Sequence, residues 1–247
     1  MEKQIIVIAE EFPSHSGGVA YFSDVLAKKY YKEGILKGVV SLSSFPVEDR
    51  TFPLVHVPLS GRNYGSFPLD NFVLTRKVNT LLYNTYSAVT GRLWKPVVKA
   101  LIDLGYQPEQ DILFFTYQVH QPKLFNKLYQ EFKGEQWMLY HGLDLLGFSK
   151  YPIYVNEVSE NASKILFNSK ATQNLFTELG FKSNVPQEVV HPFLDKDYLK
   201  SLDLYTRDQL ENKLGINLKN TAIIASVCRL VKRKGIHFAI DIVGKLI

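Results

Sequence analysis

Apolar residues along this chain fall into two patterns. Some form short, nearly continuous runs; others recur every three or four positions. The runs are Ile5-Ile6-Val7-Ile8-Ala9, Leu36 to Ser43, Leu54-Val55-His56-Val57, Asp111 to Thr116, Gln136 to Tyr140, Lys164 to Asn168 and Glu188-Val189-Val190. They are short and mostly rich in β-branched or aromatic residues, so they read as strands buried on both faces. Between them lie helical segments. Val19, Phe22, Val25, Leu26 and Lys29 share one face of a helix that Gly34 ends. Pro122 to Phe132 is a helix, and Ser169 caps another that runs to Leu179 and stops at Gly180. From Pro68 to about Leu104 the period is helical with interruptions near Gly91 and Pro96, after a loop over 60–66. Strand and helix alternate throughout. That alternation predicts an α/β fold: a Rossmann-like parallel sheet with helices on both faces.

A polar stretch at 195–203 reads as a linker, which divides the chain into residues 1–194 and 195–247. Beyond the linker the pattern gives a helix from Thr206 to Leu214 closed by Gly215. A buried strand from Thr221 to Val227 and a helix from Gly235 to Ile247 follow. That is the first βα unit of a second Rossmann-like domain. One such unit cannot bury its own faces. The expectation is that it docks on the first domain, or that the chain is the front part of a longer protein.

The first strand leads through Pro13, Ser14, His15 and Ser16 to Gly17-Gly18 and then directly into a helix. In an open parallel sheet, ligands sit beyond the carboxyl ends of the strands, where this loop lies. Glycines let backbone N–H groups approach a ligand, and the helix start favours an anion such as phosphate. The spacing is neither G-x-G-x-x-G nor that of a phosphate-binding loop. A tight turn that needs positive φ explains the glycine pair as well. A dinucleotide oxidoreductase is disfavoured: the third glycine is missing, and no acidic residue ends the second strand at Leu42-Ser43-Ser44.

Composition narrows the picture further. With 247 residues, 46% hydrophobic and 21% charged, the chain has the make-up of an ordinary globular protein. No apolar run approaches the roughly 20 residues of a membrane span. Met1 to Gln4 lead straight into a strand, so no signal peptide is expected. Cys228 is the single cysteine, which fits a reducing, cytoplasmic setting. The sequon Asn161-Ala162-Ser163 reads as chance in that setting. The net charge of +5 is unevenly spread. Residues 68–101 carry Arg76, Lys77, Arg92, Lys95 and Lys99 against Asp70 alone, and Arg229, Lys232, Arg233 and Lys234 form a second cluster without an acid. Such clusters imply an anionic partner. Residues 68–101 admit two readings: a membrane-surface patch, or helices with core aromatics and solvated cations.

Candidate chemistry rests on histidines and cations. His141 ends the strand at 136–140, His120 follows the strand at 111–116, and His15 lies in the glycine loop. His56, His191 and His237 read as structural. No metal-ligand spacing and no nucleophile triad stands out.

At residues 223–235, IIASVCRLVKRKG, the chain resembles the segment that opens the C-terminal domain of retaining glycosyltransferases of family 4, which have the two-domain GT-B fold. There a strand is followed by Gly-Arg-Leu, a spacer and Lys-Gly; here Arg229-Leu230 and Lys234-Gly235 match, and Cys228 replaces the glycine. Gly17-Gly18, His141-Gly142, Ile165 to Ser169 with the helix ending at Gly180-Phe181, and Arg207 to Gly215 follow the family's order. Asp195, in His191-Pro192-Phe193-Leu194-Asp195, keeps one residue of a further motif.

The resemblance implies transfer of a sugar from a nucleoside diphosphate sugar to a hydroxyl with retention. Residues 1–194 would be the acceptor-side domain and 195–247 the truncated start of the donor domain. It implies Gly17, Gly18, Arg229 and Lys234 on the donor diphosphate, and His141 at the donor sugar and reaction centre. His15 and His120 are the acceptor-side candidates. No protein base, metal or cofactor is expected, the nucleotide sugar being a co-substrate. The acceptor is a sugar, a lipid-linked or another hydroxyl compound, and nucleic acid is not an expected partner. The setting is cytoplasmic, at the inner face of the membrane if 68–101 is a lipid-facing patch. The family's Glu-x7-Glu element has no counterpart before Ile247, so the chain is expected to be inactive or nearly so by itself. The alternative is a non-catalytic module for phosphate ligands or lipid surfaces on the same sheet.

Overall fold

The computed structural model describes residues 3–13, 17–43, 50–58, 94–117, 122–148, 152–193, 199–200, 205–218, 223–226, 228 and 234–246. The loop at 60–66, the helical and basic segment up to residue 93, His15, His120 and Arg229 lie outside the described residues. The chain divides into two compact units, Met1–Asp195 and Lys196–Ile247.

The first unit is a Rossmann-like α/β structure. Seven strands run as β1 Gln4–Ala9, β2 Leu36–Ser41, β3 Leu54–His56, β4 Asp111–Tyr117, β5 Glu135–Tyr140, β6 Lys164–Phe167 and β7 Gln187–Val189. All pairings are parallel, in the order β3-β2-β1-β4-β5-β6-β7. The helices are α1 Gly18–Lys32, α2 Lys95–Asp103, α3 Pro122–Phe132, α4 Leu143–Phe148, α5 Pro152–Asn161 and α6 Lys170–Glu178.

Strand side chains alternate between the two faces. Ile5, Val7 and Ala9 join Phe22, Leu26 and Ala27 of α1 in one core. Ile6 and Ile8 join Val97 and Leu101 of α2, Leu124 and Leu128 of α3, Val155 and Val158 of α5, and Phe176 of α6 in the other. Covering both faces is what makes the strands read as unbroken apolar runs. Two close fits lock the β2 side of the sheet. The Lys37 ammonium stands 2.7 Å from the buried Asp111 carboxylate, across the amino ends of β2 and β4. A Cβ on Gly38 would stand only 2.8 Å from Leu104 Cδ2.

α3 and α6 form where the period and their end signals place them. Ser169 Oγ accepts from Thr172 N at 3.1 Å, and Gly180 takes φ +80°. Two helices were not anticipated. α4 has six residues, and α5 (PIYVNEVSEN) mixes β-branched residues with Asn and Ser, poor helix formers. α5 is held by packing on α3, with Val155 and Val158 buried and Asn126 bonded to Glu157 and Asn161.

In the second unit, α7 Arg207–Leu214 starts on a capping box between Thr206 and Gln209 and closes on Gly215 at φ +68°. α8 Ile236–Leu246 forms as expected. Residues 223–226, inside the strand expected at 221–227, are exposed and in no strand; Ile224 is 72% exposed. Among the described residues, no strand pairs with this segment. Phe238, Ile240 and Ile242 of α8 are exposed as well. Among the described residues, no helix is long and apolar enough to cross a membrane.

Candidate functional site

The strand order reverses direction between β1 and β4, whose chain connections leave toward opposite edges of the sheet. At such a switch point the loops after the two strands diverge and leave a crevice at their carboxyl ends. Here the β1 loop ends at Gly17-Gly18, His141 follows β5 and Asn168 follows β6, so all three positions share this end of one sheet.

α1 starts on Gly17, whose carbonyl accepts from Tyr21 N at 3.1 Å. No side chain caps it from the N-cap position, and its first turn holds no acid. Gly17 has φ 166° and ψ 159°, an extended backbone open to any residue, and Gly18 is not among the positive-φ glycines. A tight turn requiring positive φ is therefore not why glycine stands here. Space does not demand it either. No described atom lies within 4 Å of a Cβ built on Gly18, and one on Gly17 would meet Glu11 Oε2 at 3.4 Å, ordinary contact.

The first turns of α1 are fastened to β4. Ser23 Oγ donates to Val19 O at 3.0 Å and lies 2.8 Å from Thr116 Oγ1. With the Ser23 proton committed to the carbonyl, Thr116 supplies the second bond. Nearby, the Asp24 carboxylate is buried against Lys28 at 2.7 Å and Arg50 at 3.2 Å.

His141 is mostly buried. Phe22 of α1 meets its ring edge-on, with centroids 5.6 Å apart. Its Nε2 stands 2.8 Å from the carbonyl oxygen of Thr116. A carbonyl only accepts, so Nε2 carries the hydrogen. Asn168 Nδ2 lies 3.5 Å from His141 Nδ1 and 3.5 Å from its carbonyl oxygen. Burial lowers the imidazole to about 4, against a smaller upward pull from the Thr116 hydrogen bond. The ring is therefore neutral at pH 7 and serves as a hydrogen-bonding group, not as an acid.

The turn after His141 is organised by Asp144. Its fully buried carboxylate accepts from Gly142 N at 2.7 Å, Leu145 N at 3.0 Å and His141 N at 3.0 Å. Gly142 sits at φ +99°, which that wrap requires. Burial raises the Asp144 carboxyl to about 6, with the backbone N–H bonds pulling the other way.

Sequence reasoning missed Asp144, Asn168 and Thr116. Gly142-Leu143-Asp144 directly after a strand is a turn-and-cap signature that marks Asp144. Thr116 and Asn168 carry no such local mark. Of the other candidates, Lys234 is exposed and belongs to the second unit, at the start of α8. His15, His120 and Arg229 lie outside the described residues. His56 Nε2 bonds the Ser43 carbonyl at 2.8 Å and holds the loop after β2, as a structural histidine does. His191 and His237 are exposed, so neither is a core residue. Among the described residues, no group of three His, Cys, Asp or Glu could hold a metal ion.

No protein-family model matches the chain, and no curated protein matches it in sequence. Among solved structures it is similar to a sucrose-phosphate synthase from Thermosynechococcus elongatus, at 14% identity and a TM-score of 0.42 over 86% of this chain and 99% of that one. A tryptophan synthase from M. tuberculosis is similar at 13% identity and a TM-score of 0.28, over 76% of this chain and 74% of that one. Likenesses at this level leave the function to be argued from the site.

Proposed function

We propose that this chain is a glycosyltransferase that takes a nucleoside diphosphate sugar and passes the sugar to an acceptor hydroxyl with retention. The observation that carries the reading is the start of α1. It stands at the sheet's switch point, uncapped by its N-cap residue and without an acid in its first turn. Its N-cap and first residues are glycines, Gly17 and Gly18, that neither torsion nor packing among the described residues requires. A helix start of this kind suits a phosphate, and a missing Cβ suits a ligand that comes against the backbone. The resemblance of 223–235 to a donor-domain opening adds Arg229 and Lys234 as the cations for the diphosphate. Such cations stabilise the charge that grows on a leaving nucleoside diphosphate. His141 is neutral and firmly seated beside α1, and the resemblance sets it at the donor sugar. His15 and His120 belong to the acceptor side, and residues 68–101 offer a contact for a lipid-linked acceptor at the cytoplasmic face of a membrane.

A second reading is a phosphate-ligand module without turnover. It is favoured by His141, whose two ring nitrogens are both engaged, so that the ring needs no reaction to explain it.

Gly18→Ala tests the first reading. Nothing described meets the new methyl group, and alanine is the better helix former by up to about 1 kcal/mol, so the fold keeps or gains stability. The expected result is an unchanged or higher Tm with at least a tenfold loss of affinity for nucleoside diphosphates and their sugars, measured by calorimetric titration. Equal affinity in the two proteins, or no binding by wild type to any of UDP, GDP, ADP and their sugars, refutes the reading. Vesicle binding that survives Arg229→Ala with Lys234→Ala, with no response to nucleoside diphosphate sugars, favours the module.

A further inference from the structure

We infer that Asn168 and Thr172 are positioning residues for His141, together fixing its ring orientation and its tautomer from the β6–α6 side. The inference rests on the reading of His141 as a site residue, but its geometry stands independently of any ligand.

The chain of contacts starts in the first turn of α6. Thr172 is buried and its backbone N–H is tied to Ser169 Oγ at 3.1 Å, which sets where its side chain stands. Thr172 Oγ1 then donates to Asn168 Oδ1 at 2.6 Å. An amide oxygen accepts and an amide nitrogen donates, so this bond decides which end of Asn168 faces which way. Nδ2 is turned to His141, 3.5 Å from both Nδ1 and the carbonyl oxygen. Asn168 is itself held to β5, its N–H donating to Tyr140 O at 3.1 Å.

The other side of the ring is set by β4, through the Thr116 carbonyl on Nε2. The two sides agree: an acceptor at Nε2 calls for a hydrogen there, and a donor at Nδ1 calls for a lone pair there. The titratable group on the same turn, Asp144, touches the His141 backbone N–H. It therefore orders the main chain and leaves the tautomer to Thr116 and Asn168. A neutral ring with a fixed hydrogen presents one defined face to a ligand, and that is the use of locking it from three elements.

The test reads the His141 ring in the ligand-free chain by 15N-edited NMR of the imidazole. Wild type shows a single Nε2–H tautomer. Asn168→Asp replaces the donor at Nδ1 with an acceptor, so the ring takes a second proton and its titration midpoint rises toward the ordinary imidazole range. Thr172→Val keeps the backbone bond to Ser169 but frees the amide to turn over, and yields a mixture of tautomers. Circular dichroism identifies any variant that fails to fold, and the wild-type spectrum tests the inference without a substitution.

A wild-type ring with its hydrogen on Nδ1 overturns the inference. So do folded Asn168→Asp and Thr172→Val proteins with the wild-type tautomer and midpoint, because a purely structural pair would lower Tm and leave the ring alone. If the ring responds as expected but no nucleoside diphosphate sugar shifts its resonances, the positioning role stands and the transferase reading falls.

Discussion

Asp144 sets two large effects against each other, and the outcome can be measured. Its carboxylate is fully buried, which favours the neutral acid, and it accepts three backbone N–H bonds, which favour the anion. Burial prevails, lifting the group from 3.8 to about 6. The sign of the linkage follows. Between these two values the folded chain holds a proton that the unfolded chain has released, so stability falls as pH rises. The contribution is whole below pH 3.8 and is lost as pH passes through about 6. At 1.36 kcal/mol per pKa unit, the rise corresponds to about 3 kcal/mol. That is a large part of the 5–15 kcal/mol that holds a typical domain together.

Asp144→Asn isolates the term. The amide has nearly the carboxylate's shape, keeps an oxygen for the Gly142 and Leu145 N–H groups, and does not titrate. Its NH2 faces a backbone donor, a cost that is the same at every pH and cancels when the two proteins are followed together. Urea unfolding of both, followed by tryptophan fluorescence from pH 4 to pH 7.5, gives the stability of wild type minus that of the variant. This difference should drop by about 2–3 kcal/mol up to pH 7 and then level off. A difference that climbs over the same range would mean that the N–H groups outweigh burial and that the carboxylate is anionic well below pH 5. A flat difference would mean that Asp144 titrates alike in both states. Either result refutes the reasoning.

Two further substitutions probe the β2 side of the sheet. Lys37→Met leaves the Asp111 carboxylate, 2% exposed, without its cation at 2.7 Å and should cost about 3 kcal/mol in urea unfolding, while the double change Lys37→Met with Asp111→Leu should recover most of it. Gly38→Ala drives a methyl group to 2.8 Å from Leu104 Cδ2 and 3.2 Å from the Pro53 carbonyl, so Tm should fall by an amount equivalent to about 1–3 kcal/mol; an unchanged Tm would show that Leu104 gives way freely.

The sheet was legible because burial on both faces writes itself into consecutive residues. Ile5 to Ala9 and Ile112 to Phe115 carry that signature without a polar break. α3 and α6 were legible because Pro122, Ser169 and Gly180 mark their ends with backbone chemistry that needs no tertiary partner. α4 and α5 were not, because one is too short to show a period and the other owes its existence to α3. Within the site, His141 was visible from its place after a strand. Its partners were not, because Thr116 contributes a main-chain carbonyl and Asn168 becomes a neighbour only through the pairing of β5 with β6. The glycine pair was seen for its position, and one reason considered for it, positive φ, proved wrong at both residues.

The polar groups at the carboxyl end of the sheet divide by what they face. Ser23 and Thr116 bond each other, Asp144 gathers three N–H groups of its own turn, His56 holds the Ser43 carbonyl, and Asn168 is fixed by Thr172. Each of these groups has its hydrogen bonds inside the protein, so it gives rigidity and little affinity. The start of α1 differs in kind. Its donors are main-chain N–H groups, it begins on a residue with no side chain, and it is braced against β4 through Ser23. A helix start attracts an anion by only about 0.3–1 kcal/mol at an exposed site, too little to bind a nucleotide unaided. The remainder must come from other contacts to the ligand, so the affinity lost in Gly18→Ala measures only what close approach to this backbone contributes.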